Sequence, residues 1–243
     1  MQQSNLKFQK NLIIEGNIVT KTGLHIGGNK SELKIGGTDN PIITDHKGRP
    51  YIPGSSLKGK LRSLFEISEA KIEGGGRVHN CSKPDCPICV IFGSSANEQN
   101  GPTRLIVRDS FTDEDVETEL KIENMINRIK GHAEHPRTME RVPPGTVFNL
   151  EMVYSIYDES DYGRLRKVFE LLSMLEESYL GGSGSRGYGK VEIKGIKMRV
   201  KTLKDYAEGG PGSEVKLTSK DGEGLTPKEV IASFEELLKS IKA

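Results

Sequence analysis

Four residues between positions 79 and 89 carry the most specific chemistry in the chain: His79, Cys81, Cys86 and Cys89, spaced His-x-Cys-x4-Cys-x2-Cys. The chain's 3 cysteines all lie in this segment. An odd number in one short stretch argues against a disulfide scaffold and toward metal ligation. Zinc takes four soft or borderline ligands at tetrahedral positions, and Cys3His is one of its structural sets. The Cys-Pro-Ile-Cys step suits a tight turn that aims two thiolates at one ion. A closed four-ligand site leaves no position for substrate, so the expected role is structural. Three unligated cysteines beside a chance histidine are the alternative.

A second constellation joins His25, in the segment Gly23-Leu24-His25-Ile26-Gly27-Gly28, to Asp39, which follows the glycine pair Gly36-Gly37 and precedes Asn40-Pro41. A carboxylate in such a loop can hold a divalent cation or help activate a ribose 2′-OH. An imidazole can hydrogen-bond a ribose or a phosphate. An Asp before Asn-Pro is also an ordinary turn former, so these residues alone leave both roles open.

Two further segments suit anions. The run Ile52-Pro53-Gly54-Ser55-Ser56-Leu57-Lys58-Gly59-Lys60-Leu61-Arg62 opens a predicted helix, whose N-terminal N–H groups favour negative charge. Lys58 and Arg62 are one turn apart and add a phosphate-binding face; a capped surface helix with ordinary cations reads similarly. The run from Gly181 to Lys190 contains Gly182, Gly184, Arg186 and Tyr188. Its glycines let backbone approach a ligand closely, while Arg186 offers charge and Tyr188 a stacking ring. It follows a helix rather than opening one, so it is not a Walker motif. A plain flexible loop is the competing reading.

The elements that must position these groups follow from periodicity. NLIIEGNIVT (11–20) reads as a strand, and 41–52 as a hairpin around Asp45-His46-Lys47-Gly48. Leu57, Leu61, Leu64 and Phe65 make one helix face, with Ser55 or Ser56 as N-cap. LIVRD (105–109) and TVFNLEMVYSIY (146–157) read as strands. Leu165, Val168, Phe169, Leu172 and Leu175 form a second helical stripe, and KVEIKGIKMRVKTL alternates as a strand. The sum is an α+β, ferredoxin-like core over 1–206. Residues 71–103 read as an inserted lobe around the candidate zinc ligands. Residues 207–225 are an expected flexible linker. A C-terminal amphipathic helix over 226–243 opens on a Thr226–Glu229 capping box and must bury its stripe, more readily in this chain than on a neighbour.

The chain has 243 residues, 35 Lys and Arg against 34 Asp and Glu, and a net charge of +1. That balance does not exclude nucleic acid, because charge distribution matters more than the sum. No apolar run approaches the length of a membrane span, and the N-terminus shows no apolar signal core. The expectation is an intracellular, cytoplasmic protein.

Taken in order, TGLHIGG, GGTDNPII, YIPGSSLKGKLRSL, IENMINRI and LGGSGSRGYGKV resemble the RAMP-superfamily backbone subunits of type III-A CRISPR (Csm) complexes, over about residues 10–200. The resemblance implies a subunit that stacks with further copies of itself along a guide crRNA, beside other Csm subunits. It implies an RRM-like core, a zinc-bearing lid insertion at 71–103, and a thumb hairpin over 122–147, carrying Arg128, Arg137 and Arg141, that displaces guide–target base pairs at intervals. It implies cleavage of target RNA beside each thumb, dependent on a divalent cation (Mg2+ or Mn2+), with Asp39 at the catalytic position. His25, Lys58, Arg62 and the Gly181–Gly189 loop match the family's RNA-contacting segments. Two alternatives stay open: a purely structural crRNA-binding backbone without nuclease activity, and a guide-processing endoribonuclease of the same superfamily that uses His25.

Overall fold

The computed structural model describes residues 6–28, 39–81, 83–94, 101–219 and 224–242; Gly36-Gly37 lies outside them. In chain order the elements are β1 (Lys10–Thr20), β2 (Tyr51–Ile52), α1 (Gly54–Ser68), α2 (Pro87–Phe92), β3 (Leu105–Val107), β4 (Ser110–Phe111), β5 (Glu119–Ile126), β6 (Ala133–Arg141), β7 (Val147–Ile156), α3 (Ser160–Glu177), β8 (Val191–Thr202), α4 (Leu203–Glu208), β9 (Ser213–Glu214), α5 (Pro227–Ala232) and α6 (Phe234–Lys242). A 3-10 turn, Gly184–Arg186, lies between α3 and β8.

The main sheet runs β3-β7-β1-β8-β9 and every pairing in it is antiparallel. The period-2 pattern of β1 sends Leu12, Ile14 and Ile18 into the core. Asn11, Glu15 and Asn17 stay partly exposed on the other face. That face is polar: Glu15 pairs with Arg199 at 3.0 Å and Asn11 accepts from Ser155 at 2.8 Å. Both predicted helical stripes are buried: Leu57, Leu61, Leu64 and Phe65 on α1, and Leu165, Val168, Phe169, Leu172 and Leu175 on α3. The fold is thus mixed α and β, with two long helices covering one side of an antiparallel sheet. Arg104 ties this core together from within, donating to the buried Asp161 carboxylate at 3.0 Å just inside α3.

Several local expectations change. The 41–52 hairpin shrinks to one Thr44–Pro50 bridge around a turn. Asp45 accepts from the Lys47 and Arg49 N–H groups in that turn. These bonds hold its carboxyl well below the usual range, at about 2. Ile42 instead bridges Gly27, and Tyr51–Ile52 pair with β4. Helix α1 is capped by neither Ser55 nor Ser56. Pro53 is its N-cap residue, and the Gly54 N–H donates to Asp109 Oδ1 at 2.7 Å. Gly54 is required there, since a Cβ would sit 2.3 Å from the Val107 carbonyl oxygen. Helix α3 ends at Glu177, before Gly181-Gly182.

The expected linker 207–225 is not free chain over its described residues. Ser213 and Glu214 pair with β8, the Val215 N–H donates to Met198, and Val215 is buried. Gly224 and Leu225 return to the same strand, Leu225 bridging Ile196. Edge-strand pairing supplies backbone partners that polar composition alone did not reveal. The C-terminal stripe forms two helices that meet at Ser233, with α5 against α3 and β8. The Thr226–Glu229 capping box is present.

Candidate nucleic-acid interface and metal centre

The cysteine lobe brings its four predicted residues together. Ligand atoms of His79, Cys81, Cys86 and Cys89 all lie within 4.8 Å of one another. Cys81 Sγ and Cys89 Sγ are 3.9 Å apart, and Cys86 Sγ is 3.4 Å from His79 Nε2. These separations are far beyond a disulfide bond of about 2.05 Å. They match the spacing of about 3.8 Å between ligands on a tetrahedral zinc with bonds near 2.3 Å. Pro87 at the first helical position starts α2 and fixes the direction of Cys86 and Cys89. Burial pushes the Cys86 thiol up. The Cys89 backbone N–H and the His79 ring outweigh it and bring it to about 7. Burial raises Cys89 instead.

Arg62 belongs to this lobe. Its Nε donates to Glu66 Oε1 at 2.8 Å, its Nη1 to the Gly93 carbonyl at 3.0 Å and its Nη2 to the His79 carbonyl at 2.5 Å. Glu66 also accepts the His79 N–H at 3.1 Å, so both backbone groups of the histidine are held by α1. Glu73 Oε1 lies 3.5 Å from His79 Nδ1, on the side of the ring away from Cys86. Lys58 keeps its place beside Arg62. Burial lowers its ammonium below the ordinary value, and the Arg62 charge adds to that. Lys60 points elsewhere, with Nζ 3.7 Å above the Tyr179 ring.

The Asp39 loop is zipped onto β6 at the root of the β5–β6 hairpin. Asp39 Oδ2 accepts the Thr138 N–H at 3.2 Å. The Asn40 carbonyl accepts the Glu140 N–H at 3.2 Å, and the Ile42 N–H donates to Glu140 Oε2 at 3.0 Å. His25 approaches the same strand, with Nδ1 2.7 Å from the Glu140 carbonyl. A carbonyl only accepts, so Nδ1 carries the proton and Nε2 is the nitrogen left for a ligand. Asp39 is exposed and His25 is buried among its neighbours.

The glycine loop closes over His25. The Gly182 N–H donates to the His25 carbonyl at 2.8 Å. A Cβ on Gly184 would fall 2.0 Å from the Tyr179 ring, so the loop backbone packs against that ring, as Lys60 does. Tyr188 is not a free stacking surface. It is 1% exposed, with Lys121 Nζ 4.4 Å and the Arg141 guanidinium 5.2 Å from its ring centre. Arg186 reaches Glu123 at 3.1 Å, and Arg137 lies 3.9 Å from the same carboxylate. Burial would raise Glu123, but the Tyr188 hydroxyl and the Arg186, Lys121 and Arg137 charges outweigh it and hold it below the ordinary range. Arg141 pairs with Glu119 at 2.6 Å. Arg128 sits at the exposed hairpin tip beside Ile129, which is 97% exposed.

His25, Asp39, Gly182, Arg186, Arg137 and Arg141 therefore lie along one hairpin, from its root at Arg141 to its middle, where Arg137 and Arg186 share Glu123. Lys58 stays on α1, and Arg62 turns to the metal lobe. Residue type alone missed Glu140. Glu140 is a single carboxylate between Met139 and Arg141, and nothing local distinguishes it. Among the described residues no helix is long and apolar enough to cross a membrane.

The comparisons with known proteins agree with this architecture. The chain is 48% identical over 227 residues to the CRISPR system Cms endoribonuclease Csm3 of Methanothermobacter thermautotrophicus, covering 83% of this chain and 91% of that one. It is 45% identical to the protein of the same name from Methanocaldococcus jannaschii, covering 86% and 89%. A crystal structure of a Csm3-Csm4 subcomplex of the type III-A CRISPR-Cas interference complex superposes with TM-score 0.63 at 33% identity, covering 95% of this chain and 98% of that one. The Methanopyrus kandleri Csm3 crystal structure, at 21% identity and TM-score 0.67, shares the fold. The RAMP superfamily profile matches residues 17–192, which take in the end of β1, all of β2 to β7, both long helices, the cysteine lobe and the hairpin: the chain belongs to the RAMP superfamily.

Proposed function

We propose that this chain is a backbone subunit of a type III-A CRISPR effector complex that binds guide crRNA and cuts complementary target RNA at Asp39. The observation that carries the reading is the position of Asp39: an exposed carboxylate fixed to the base of a projecting hairpin, beside His25 and the glycine loop. The names of the relatives, which are called endoribonucleases, support the same activity. In this reading the core is ferredoxin-like, α2 and its flanks form a zinc lid, and β5–β6 is the thumb. Further copies of the chain and other Csm subunits are its cytoplasmic partners.

Scission of RNA needs an activated oxygen, in-line geometry and stabilised phosphate charge. A nucleotide displaced by the thumb can reach the in-line arrangement that a stacked helix forbids, with its own 2′-OH as nucleophile. One Asp39 oxygen is held by Thr138, and the other has no protein donor among the described residues. That oxygen can take a divalent cation such as Mg2+ or Mn2+, which would supply charge stabilisation at the phosphate. His25 Nε2, with its ring fixed through Nδ1, contacts the phosphate or ribose. Backbone contacts from the glycine loop and the cation Lys58 bind guide RNA irrespective of its sequence. In the metal lobe His79, Cys81, Cys86 and Cys89 would hold a structural zinc that ties the lid to α1 through Arg62.

The test is target cleavage by complexes assembled with wild type or Asp39→Ala. The variant should assemble and hold guide RNA while losing cutting at every thumb position. Undiminished cutting by the variant would refute the role given to Asp39. Cutting that survives chelation in the wild type would remove the cation from the mechanism.

A further inference from the structure

The reading of Asp39 leaves open what holds it and His25 in register, since they come from separate loops and share no direct bond in the structure. One residue touches both loops. The Glu140 carbonyl accepts His25 Nδ1 at 2.7 Å, and its N–H donates to the Asn40 carbonyl at 3.2 Å. Its carboxylate accepts the Ile42 N–H through Oε2 at 3.0 Å and the Thr118 hydroxyl through Oε1 at 2.8 Å. Thr118 precedes β5, so the same side chain also joins the start of the thumb to the far side of the Asp39 loop. Backbone bonds anchor the two loops to each other as well: Gly28 N–H to Pro41 at 3.0 Å and Ile43 N–H to Ile26 at 2.8 Å.

We propose that Glu140 is a positioning residue, which clamps the Asp39 loop and the His25 ring to the thumb root so that both groups face the same phosphate. The inference rests on the assignment of Asp39 to cleavage. Glu140 acts through its neighbours and does not itself touch RNA. Its backbone bonds survive any substitution, but the carboxylate bonds do not. Losing them removes the tie from Ile42 to Thr118 and leaves the loop held by its backbone bonds at Asn40, Pro41 and Ile43. The donors that the carboxylate serves are both neutral, one N–H and one O–H. A glutamine therefore meets the geometric need: its amide oxygen takes the Ile42 N–H, and its amide nitrogen donates to the Thr118 oxygen. A carboxylate needed for its charge, as a cation ligand or a base, would not be replaced by glutamine.

The experiment compares single-turnover target cleavage by complexes assembled with wild type, Glu140→Ala, Glu140→Gln, Thr118→Val and Asp39→Ala, at saturating target RNA and with target affinity measured alongside. Glu140→Ala should cut on the order of 100-fold more slowly, the scale of a misplaced catalytic group. Its target affinity should be unchanged. Glu140→Gln should cut nearly as fast as wild type, and Thr118→Val should fall between. Glutamine as slow as alanine would overturn the proposal in favour of a charge role. Wild-type cutting by Glu140→Ala would overturn it outright. If Glu140→Ala does not assemble, wild-type cutting by Thr118→Val overturns it in the same way. Undiminished cutting by Asp39→Ala would instead remove the underlying assignment, and the proposal with it.

Discussion

Lys58 and Arg62 stand one helical turn apart on α1, yet their surroundings differ. Lys58 is half-buried with no acidic partner among the described residues, while Arg62 has acceptors on Glu66, Gly93 and His79. Sequence spacing placed both on one face and made both phosphate ligands. It carried no sign that the lid would fold back over the second of them, because His79 and Gly93 lie 17 and 31 residues away. The His79, Cys81, Cys86 and Cys89 cluster was legible, since its chemistry and its spacing are both local. This difference yields a prediction. Purified protein should carry about one zinc per chain, and Cys86→Ser should release it. Arg62→Ala should weaken zinc binding about 10- to 100-fold, as loss of an outer-shell partner does. Lys58→Ala should leave zinc binding unchanged. Competition with a colorimetric chelator measures all three, and equal retention by Arg62→Ala and wild type would show that the Arg62 bonds do not orient His79.

The glycine loop between α3 and β8 shows which of its glycines the element needs. Gly181 has φ +76 and a Cβ there would lie 2.3 Å from the His25 carbonyl oxygen. Gly187 has φ +87 and nothing within 4 Å of such a Cβ. Both substitutions by alanine meet the left-handed penalty of roughly 1–2 kcal/mol. Only Gly181→Ala also pushes backbone against backbone, next to the Gly182–His25 bond that ties loop to strand end. Gly181→Ala should therefore cost roughly 3 kcal/mol or more, against about 1 kcal/mol for Gly187→Ala. Urea denaturation of the two variants gives the comparison, and equal midpoints would mean the loop yields to the clash. The helices and long strands were legible at this scale because each carries its own period. The pairings were not. Asp109 caps α1 from 55 residues away, Ile42 joins Gly27 instead of closing a hairpin, and Tyr188 is enclosed by thumb cations. Each is fixed by tertiary contact, which local periodicity does not encode.

The whole molecule depends on its last two helices more than their position at the end of the chain suggests. The sequence shows an apolar stripe that must be buried, and the structure places it on this chain's own core. Val230, Leu237 and Ile241 are 0% exposed and Phe234 is 4% exposed. Arg166 lies over the Phe234 ring at 5.4 Å, and Lys10 donates to the Ile241 carbonyl at 2.7 Å, so α6 contacts both α3 and the start of β1. Burying each of these four side chains contributes roughly 1.5–3 kcal/mol, or about 6–12 kcal/mol together. A domain of this kind is stable by only about 5–15 kcal/mol in total. Part of the burial is offset by the ordering of the helices, but the remainder is still comparable with the stability of the fold. A chain ending at residue 225 should therefore unfold or aggregate rather than persist as a folded core with a missing appendage. The same loss should appear without truncation in Leu237→Asp, which puts a charge into the buried stripe at a cost of several kcal/mol. Thermal melts of both variants, against full-length protein, test this. A cooperative transition within a few degrees of the full chain would mean that burying α5 and α6 adds little to the stability of the core.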